Sequence, residues 1–444
     1  MATSLMWFRR DLRLADNPAL VEAAQRGGVM PLFVVDPRLW EPAGPSRRAY
    51  LVASLESLAG QTGGLVLRTG DPVDVVPEVV REAGADSVHI AADFGPYGAA
   101  RDRSVERALN ELGVALVRTG SAYAVAPGRV LNKTGDGYQV FTPFSKAWRD
   151  HGWRAPAATP SDVRWDASLR SDAMPTVDLP AGLALPEAGE GSAQRHWRAF
   201  LADKLSAYGS ARNRPDLDAT SHMSVHLKWG EIHPRTMLAD LETADASQRS
   251  ISTYRTELAW REFYADVLAR RPDTARRYYK PDFAKMTYDE PGDAFDAWKE
   301  GRTGFPIVDA GMRQLRAEGW MHNRVRMIVA SFLVKDLHIE WQHGARHFLH
   351  WLVDGDLASN NHGWQWTAGC GTDAAPYFRV FNPIDQGKKF DPDGDYIRRY
   401  VPELSGVPAP EVHAPRDPIV DHADERREAL ARYERIRNAE KPSR

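Results

Sequence analysis

Five short apolar runs near the start of this 444-residue chain constrain its fold more than any other feature. Short, continuous apolar runs are typical of strands buried on both faces of a parallel sheet, and helix-like segments lie between these five. The runs are SLMWF, VMPLFVVD, LVLRTG, SVHIAADF and VALVRTG. We therefore predict a doubly wound, Rossmann-like α/β domain over residues 1–130. No GxGxxG follows its first strand, so the usual dinucleotide fingerprint is missing.

The rest of the chain divides into three segments by composition and periodicity. We assign residues 131–192 to an interdomain connector, because residues 150–190 are rich in Pro, Ala, Asp and Ser without a sustained period, and TPFSKAW (142–148) just before them is typical of an element that closes the first domain. Residues 193–420 have helical periodicity with caps and glycine stops, so we predict an all-α domain that becomes loop-like and Pro-rich after Asp385. Residues 421–444 predict a charged, solvent-exposed helix and tail, to which we assign no function.

Composition excludes several classes of protein. The single cysteine rules out a disulfide framework and a multi-cysteine zinc site, and we expect no metal. The net charge of −3 argues against a protein that coats nucleic acid over its whole surface, although net charge does not report a local basic patch. Because no run of about 18 apolar residues occurs, we expect a cytoplasmic protein without membrane spans. We also expect a monomer without an obligate protein partner.

Residues 320–369 concentrate polar and aromatic side chains. Guanidinium, carboxylate and amide groups lie among five tryptophans, on and beside two apolar helical runs. Trp320, Arg324 and Met327 have the spacing i, i+4, i+7 and are predicted to share one helical face, and Asp354–Asp356 interrupts the second run. Polar groups are costly to bury without partners, so the cluster favours a site for a large, flat, partly polar ligand. The alternative is a tryptophan-rich core with surface loops.

Two other segments offer candidate ligand groups. Residues 220–224, TSHMS, provide three hydroxyls ahead of a predicted helix, which suits either a phosphate group or a simple helix cap. Residues 250–268 predict a helix that carries Glu257 and Arg261 on one face, with Trp260 beside them. That pair forms either part of a site or a solvated ion pair.

Charged residues follow the predicted strands. In a doubly wound sheet, residues after the carboxyl ends of strands line the ligand crevice, but charges in such loops are as often simply solvated. The residues concerned are Arg9, Arg10, Asp11, Asp36 and Asp93.

Taken together, these patterns resemble the photolyase/cryptochrome family, and within it the class I type photolyases that act on cyclobutane pyrimidine dimers. The resemblance runs from WFRRDLRLADNPAL (residues 7–20) to KKFDPDGDYIRRYVPEL (residues 388–404). It is most specific in WMHNRVRM, DGDLASNNHGWQW and TDAAPYFRVFNP. It implies an N-terminal antenna domain, a C-terminal helical domain that holds FAD, and DNA as the partner.

The resemblance implies a flavin site. Hydroxyl and amide groups of TSHMS would bind the pyrophosphate. Asp354 and Asp356 would accept hydrogen bonds from the isoalloxazine edge and the ribose. Asn360 would face flavin N5, and Arg326 would stabilise an anionic reduced flavin. The side chain of His222 receives no role. The implied cofactor-binding residues are Tyr208, Thr220, Ser221, His222, Met223, Ser224, Arg261, Trp320, Arg326, Asp354, Gly355, Asp356 and Asn360.

The resemblance also implies a lesion site. Trp260 and Trp366 would form apolar walls, and Met327 a compliant floor, for a dimer flipped out of the duplex. Glu257 and Asn323 would hydrogen bond to the base edges. The implied DNA-binding residues are Arg212, Glu257, Trp260, Asn323, Arg324, Met327, Trp366 and Gln386, and those implied in catalysis are Glu257, Asn323 and Asn360.

The implied activity is light-dependent repair, in which excited reduced FAD donates an electron to the dimer. One alternative is a cryptochrome-like blue-light photoreceptor without repair activity, and another is a flavin-free protein that binds damaged DNA. Trp364 and Trp341 match the first two members of the family's electron-transfer chain, whereas the third position falls on Tyr288. Tyr288 either completes the chain, with slower photoreduction of FAD, or is a surface aromatic residue without a redox role.

For the antenna, the resemblance favours 8-hydroxy-5-deazaflavin, with an empty or flavin-filled pocket as the alternative. Relatives that bind this deazaflavin have an acidic residue two positions after the aspartate, and this chain has Gly95 there. The implied antenna residues are Arg10, Phe33, Asp36, Arg48 and Asp93.

Overall fold

A computed structural model of the chain describes residues 3–25, 27–373 and 378–439. The chain forms two compact units. The sheet unit comprises Met1–Pro180, Pro186–Ser206 and Ser221–Pro272, and the helical unit comprises Ala181–Leu185, Ala207–Thr220 and Asp273–Arg444. The units therefore alternate along the chain, whereas the domains expected from the sequence follow one another. That sequential division stays a prediction, and residues 440–444 of its tail lie outside the described residues.

The elements of the first part of the chain alternate between strands and helices. In order they are β1 Thr3–Phe8, α1 Pro18–Ala24, β2 Gly28–Val35, α2 Pro37–Trp40, α3 Pro45–Thr62, β3 Val66–Thr69, α4 Pro72–Ala83, β4 Ser87–Ala92, α5 Pro96–Asn110, β5 Ala115–Ser121, α6 Phe141–His151 and β6 Arg164–Trp165.

The elements that follow are helical. They are α7 Glu190–Ala199, a π-helical turn Phe200–Lys204, α8 Leu205–Ala211, α9 Ser224–Trp229, α10 Pro234–Thr243, α11 Gln248–Arg270, α12 Asp293–Glu300, α13 Pro306–Glu318, α14 Asn323–Lys335, α15 Trp341–Trp351, α16 Leu357–Ala368, α17 Pro383–Phe390, α18 Asp395–Tyr400 and α19 His422–Ala439. Short 3₁₀ turns lie at Pro272–Ala275, Pro281–Lys285, Pro402–Leu404 and Glu411–His413.

The sheet unit is built on a parallel sheet with the strand order β3-β2-β1-β4-β5. All five predicted strands are confirmed. Strand β1 is buried on both faces, since Leu5 and Phe8 are inaccessible to solvent, whereas the edge strand β5 is only partly buried. The order reverses between β1 and β4, which pair in parallel from Ser4 with Ser87. A doubly wound sheet has its ligand crevice at this switch point.

Aspartate or asparagine followed by proline begins three helices of the sheet unit. The side chains of Asn17, Asp36 and Asp71 accept hydrogen bonds from backbone amides in the first turns of α1, α2 and α4. Proline at the first helical position needs no hydrogen-bond acceptor and already has a helical φ, so these starts follow from local chemistry.

The predicted connector over residues 131–192 contains a helix and a short strand. Residues Phe141–His151 form α6, and Arg164–Trp165 form β6, which pairs in parallel with β2 at Gly28 and Val29. A two-residue strand is too short to produce a periodic pattern, so backbone pairing at the sheet edge is invisible in the sequence.

The helical unit buries an extended apolar core. Helices α13 and α14 contribute Val308, Met312, Val325 and Val329, all fully buried. Three expectations are corrected here. Trp320 precedes α14, which begins at Asn323, so the i, i+4, i+7 spacing does not describe one helical face. The chain after residue 385 contains the short helices α17 and α18. Helix α19 is only partly exposed, because Ala429 and Ile436 are buried. Across the described residues, no helix is long and apolar enough to cross a membrane.

Candidate functional site

An ion pair between a half-buried arginine and a buried aspartate lies at the centre of the predicted site in the helical unit. On α14, Arg326 donates through Nη2 to Oδ2 of Asp354 at 2.8 Å and through Nε to the backbone oxygen of Met321 at 2.7 Å. Its guanidinium also lies 5.9 Å from the ring centroid of Trp320. The second carboxylate oxygen of Asp354, Oδ1, is buried and has no hydrogen-bond partner among the described residues. A buried carboxylate oxygen without a partner is costly, so this geometry suits a hydrogen-bond donor from a ligand.

The Asp354–Asp356 segment turns the chain from α15 into α16. Asp356 caps α16, because its Oδ1 accepts a hydrogen bond from the amide of Ser359 at 3.0 Å. One turn later, Asn360 donates through Nδ2 to the backbone oxygen of Ala345 at 3.2 Å and to Oδ1 of Asn361 at 2.8 Å. These bonds use the Asn360 amide protons, so its orientation is fixed by the protein. Asp354, Asp356 and Asn360 are thus supported by one loop and one helix.

The first turn of α14 carries three predicted lesion residues. Asn323 is exposed, Met327 is half-buried, and Arg324 lies between them. Arg324 donates through Nη2 to Oδ1 of Asn213 at 2.8 Å, and its guanidinium lies 4.4 Å from the ring centroid of Phe390. Arg324 is therefore held in place by the protein before any DNA contact.

Trp366 is anchored on α16 and half-buried. Its indole Nε1 donates to the backbone oxygen of Asp373 at 3.2 Å. Gln386, on α17, is also half-buried, as is Arg212, whereas Tyr208 on α8 is buried.

Trp364 and Trp341, the predicted electron-transfer residues, are almost completely buried. Trp364 packs directly on Gly344 of α15: a Cβ at that glycine would lie 2.1 Å from the Trp364 ring. Their indole Nε1 atoms are buried without hydrogen-bond partners among the described residues. Tyr288, the predicted third member, lies in a loop and is half-buried.

In the sheet unit, the TSHMS segment ends in the first turn of α9. The hydroxyls of Ser221 and Tyr254 are hydrogen bonded at 2.8 Å. His222 has a positive φ of 54°, a left-handed conformation that is uncommon for a side-chain-bearing residue. Left-handed residues next to right-handed ones turn successive backbone N–H groups to the same side, which suits an anion. Met223 is buried, and Ser224 is exposed at the start of the helix.

Helix α11 carries three predicted site residues, Glu257, Trp260 and Arg261. The structure adds Phe141 of helix α6, which packs against one of them. Trp260 is stacked on Phe141 of α6, with ring centroids 3.6 Å apart and planes 6° apart. Arg261 donates to the backbone oxygens of Ala122 and Leu227 at 2.9 and 3.2 Å. Glu257 is half-buried on the same helix. Sequence reasoning did not identify Phe141, because 119 positions separate it from Trp260 and no local pattern connects them.

Of the charged residues that follow the strands, Asp11 and Asp36 are buried and Arg9, Arg10 and Asp93 are half-buried, which favours a ligand crevice over solvated loop charges. Arg9 pairs with Asp102 at 2.7 Å, and Asp11 is buried. Burial alone would raise the pKa of Asp93, but the guanidiniums of Arg10, Arg101 and Arg9 lower it below the ordinary value. Asp93 is therefore an ionised carboxylate at the switch point.

The other predicted antenna residues are engaged within the sheet unit. Asp36 caps α2 and accepts a hydrogen bond from the hydroxyl of Tyr97. Arg48 donates to the backbone oxygen of Trp40 at 2.9 Å, and its guanidinium lies 5.5 Å from that ring's centroid. Phe33 is buried in β2. Contacts within the protein thus account for the positions of several of these side chains without a ligand.

Comparison with known proteins identifies the class of this fold and site. Residues 4–161 match the family model described as DNA photolyase, and residues 254–435 match the FAD binding domain of DNA photolyase. The chain belongs to the DNA photolyase family. It is accordingly an enzyme, a lyase, and FAD is its cofactor.

Individual relatives agree along almost the whole chain. A deoxyribodipyrimidine photo-lyase of Halobacterium salinarum is 38% identical over 98% of this chain and 100% of its own length. A class III photolyase from Agrobacterium tumefaciens has a TM-score of 0.89 and 36% identity, covering 99% of this chain and 98% of that one. A Synechocystis cryptochrome also has a TM-score of 0.89, at 27% identity, covering 97% of this chain and 99% of that one.

Proposed function

We propose that this enzyme repairs cyclobutane pyrimidine dimers in DNA by a light-driven electron transfer. The observation that carries the proposal is the Arg326–Asp354 pair, in which Asp354 keeps one buried oxygen without a donor among the described residues. A carboxylate held rigid by an arginine and open on one oxygen suits a ring N–H group of a flavin. FAD, when bound and reduced, supplies the excited-state electron.

The protein groups around the flavin have separate tasks in this proposal. Arg326 adds positive charge that stabilises an anionic reduced cofactor, because charge interactions are strong where water is excluded. Asn360, fixed by Ala345 and Asn361, presents an amide of constant orientation. Ser221 and Ser224, with the backbone amides near His222, bind the pyrophosphate. Tyr208, Thr220, Met223, Arg261, Trp320, Gly355 and Asp356 complete the proposed cofactor site.

The proposed lesion site uses rigid aromatic surface. A dimer must leave the base stack before any group reaches it, and damaged bases do so at lower cost. Trp260, backed by Phe141, and Trp366, anchored by Asp373, form walls of fixed orientation. Met327 adapts to the dimer, while Glu257 and Asn323 bind its polar edges. Arg212, Arg324 and Gln386 contact the DNA around it.

Polar groups of the site stabilise the dimer radical anion, which forms when the dimer accepts an electron. Glu257 lies on the helix that also carries Arg261, and polar groups fixed before reaction stabilise charge without reorganising. We propose that the enzyme acts as a cytoplasmic monomer on damaged DNA. For its antenna we propose 8-hydroxy-5-deazaflavin at the β1/β4 switch point, beside Arg10 and Asp93. An absorption band beyond those of FAD in the purified protein checks this antenna.

The deciding experiment measures repair directly. Purified enzyme is reduced chemically, mixed with ultraviolet-irradiated oligothymidine and exposed to blue light, with a dark sample as control. Recovery of thymine absorbance only in the light supports the proposal. The Asn323→His variant should lose repair yet keep its FAD; release of FAD would mean that Asn323 faces the cofactor instead.

The similarity to a cryptochrome favours a second candidate, a flavin photoreceptor without repair activity. In that case, chemically reduced, FAD-loaded enzyme would leave irradiated oligothymidine unchanged in the light. A binding assay with the same oligonucleotide then separates the two functions, since a photoreceptor has no need for selective affinity for the lesion.

A further inference from the structure

Tyr278 lies between two predicted members of the electron-transfer chain. Its ring centroid is 6.3 Å from that of Trp341, with the planes at 83°, and 6.2 Å from that of Tyr288, with the planes at 18°. Tyr278 is buried, whereas Tyr288 is half-buried. The aromatic contact outward from Trp341 is therefore made by Tyr278, a residue that the family pattern did not point to.

The loop that carries Tyr278 is fastened to the helix that carries Trp364. Gln365, fully buried on α16, donates through Nε2 to the backbone oxygen of Thr274 at 2.9 Å, and its Oε1 accepts from the amide of Tyr279 at 2.7 Å. The amide of Lys280 donates to the backbone oxygen of Cys370 at 2.9 Å. These bonds fix the backbone on both sides of Tyr278.

Tyr278 has a proton acceptor within hydrogen-bond distance. Its hydroxyl donates to Oε1 of Glu340 at 2.7 Å, which is the range needed for direct proton transfer. Glu340 directly precedes Trp341 at the start of α15. Burial, with smaller contributions from Tyr288 and Glu340, raises the pKa of Tyr278 well above its ordinary value. The phenol therefore keeps its proton until it is oxidised.

The two tryptophans have the opposite arrangement. The buried Nε1 atoms of Trp364 and Trp341 meet no acceptor among the described residues. An oxidised indole without a proton acceptor keeps its proton and remains a strong oxidant. An oxidised phenol, in contrast, is strongly acidic, so a carboxylate beside it removes the proton and stabilises the neutral radical. The proton acceptor at Tyr278 thus favours electron transfer outward and opposes its return.

We propose that Tyr278 and Glu340 form the proton-coupled end of the Trp364–Trp341 route, a proposal that rests on the flavin function proposed above. One electron passes from Tyr278 to the Trp341 radical cation, and the phenol proton passes to Glu340. The products are neutral Trp341, a neutral tyrosyl radical and protonated Glu340. A thiolate from solution then gives one electron to the tyrosyl oxygen, Glu340 returns the proton, and a thiyl radical leaves.

Transient absorption after a blue flash tests this assignment on the FAD-loaded enzyme in its oxidised form. We expect a long-lived neutral tyrosyl radical that forms more slowly in D₂O. Tyr278→Phe and Glu340→Gln should lose that signal, and the yield of lasting photoreduction should fall by roughly 100-fold, the lower end of what a positioned proton acceptor contributes. Glu340 makes no capping hydrogen bond through its side chain, so glutamine does not remove a helix cap.

Tyr279→Phe removes a hydroxyl from the adjacent position and is the matched control, which should keep the radical. Loss of the signal in Tyr288→Phe with retention in Tyr278→Phe would overturn the assignment and make Tyr288 the terminal donor. The proposed repair function is tested separately, with chemically reduced wild-type enzyme. Repair without a tyrosyl radical rejects only the present inference, and a radical without repair rejects only the proposed function.

Discussion

Two buried carboxylates, one in each unit, have different hydrogen-bond environments. In the sheet unit, Glu262 accepts from the amides of Ala124 and Val125 and from the indole Nε1 of Trp148, so both of its oxygens are used. In the helical unit, Asp354 uses one oxygen with Arg326 and leaves the other without a partner. Both residues are almost inaccessible to solvent.

For these two carboxylates, the number of completed hydrogen bonds distinguishes the predicted ligand-binding residue, whereas burial does not. A buried polar group whose bonds are complete stabilises the fold that supplies them, and it has nothing left to offer a ligand. A buried polar atom without a hydrogen-bond partner costs free energy until a ligand supplies that partner. Glu262 directly follows the predicted site residue Arg261 in sequence. Its complete set of hydrogen bonds nevertheless indicates that Glu262 stabilises the fold and does not bind a ligand.

The largest effect should come from Asp354→Ala. The change removes the open acceptor and the carboxylate partner of the half-buried Arg326, at a cost of up to about 3 kcal/mol, the lower end for a buried pair. The dissociation constant for FAD should rise by roughly 100-fold or more, and the enzyme should purify without flavin. Flavin absorbance and a fluorescence titration with FAD measure this. Normal flavin content would show that Asp354 is as structural as Glu262.

Glu262→Gln should act on the fold alone. Glutamine brings an NH₂ group to a place where three donors already point, so the free energy of unfolding should fall by about 2–3 kcal/mol. Denaturation by urea followed by circular dichroism gives the value. The same change at the exposed Glu242 of α10 is the control and should have little effect. The comparison fails if folded Glu262→Gln protein has lost its FAD.

Trp260→Ala extends the comparison to apolar groups. Removing the proposed wall should weaken binding of dimer-containing DNA by about 1–3 kcal/mol through lost stacking, with little change in FAD content. Fluorescence anisotropy with damaged and undamaged oligonucleotides measures the difference. Unchanged selectivity for the lesion would remove Trp260 from the site.

Phe141→Leu should have the smallest effect. Leucine keeps the position apolar but removes the aromatic stack behind Trp260, which is worth about 0.5–1.5 kcal/mol. Lesion affinity should fall less than in Trp260→Ala, because the wall is present but less rigid. The anisotropy assay applies again, and an effect as large as that of Trp260→Ala would mean that Phe141 contacts the lesion itself.

Sequence alone predicted the parts of this molecule that local chemistry determines. Strands such as β1 and β2 follow from continuous apolar runs. The turn at Gly355 was likewise predicted, because two carboxylates at a glycine end an apolar helix.

Long-range pairings could not be predicted in this way. The stack of Phe141 on Trp260, the bonds of Glu262 to Ala124 and Trp148, and the contact of Tyr278 with Trp341 each join segments far apart in sequence. Trp320 shows the converse error, since helical spacing was extended past the residue where α14 begins. The family pattern, not periodicity, indicated the residues of the candidate site.

The discontinuity of the sheet unit has a consequence for synthesis on the ribosome. Helix α11, which lies in its last segment, Ser221–Pro272, emerges only after more than half of the chain has been made. Until then, the indole Nε1 of Trp148 lacks its hydrogen-bond acceptor, Glu262, which lies 114 residues further along the chain. Domains usually fold as units during translation. Here the parallel sheet forms without helix α11, because the residues between its strands and that helix must be synthesised first.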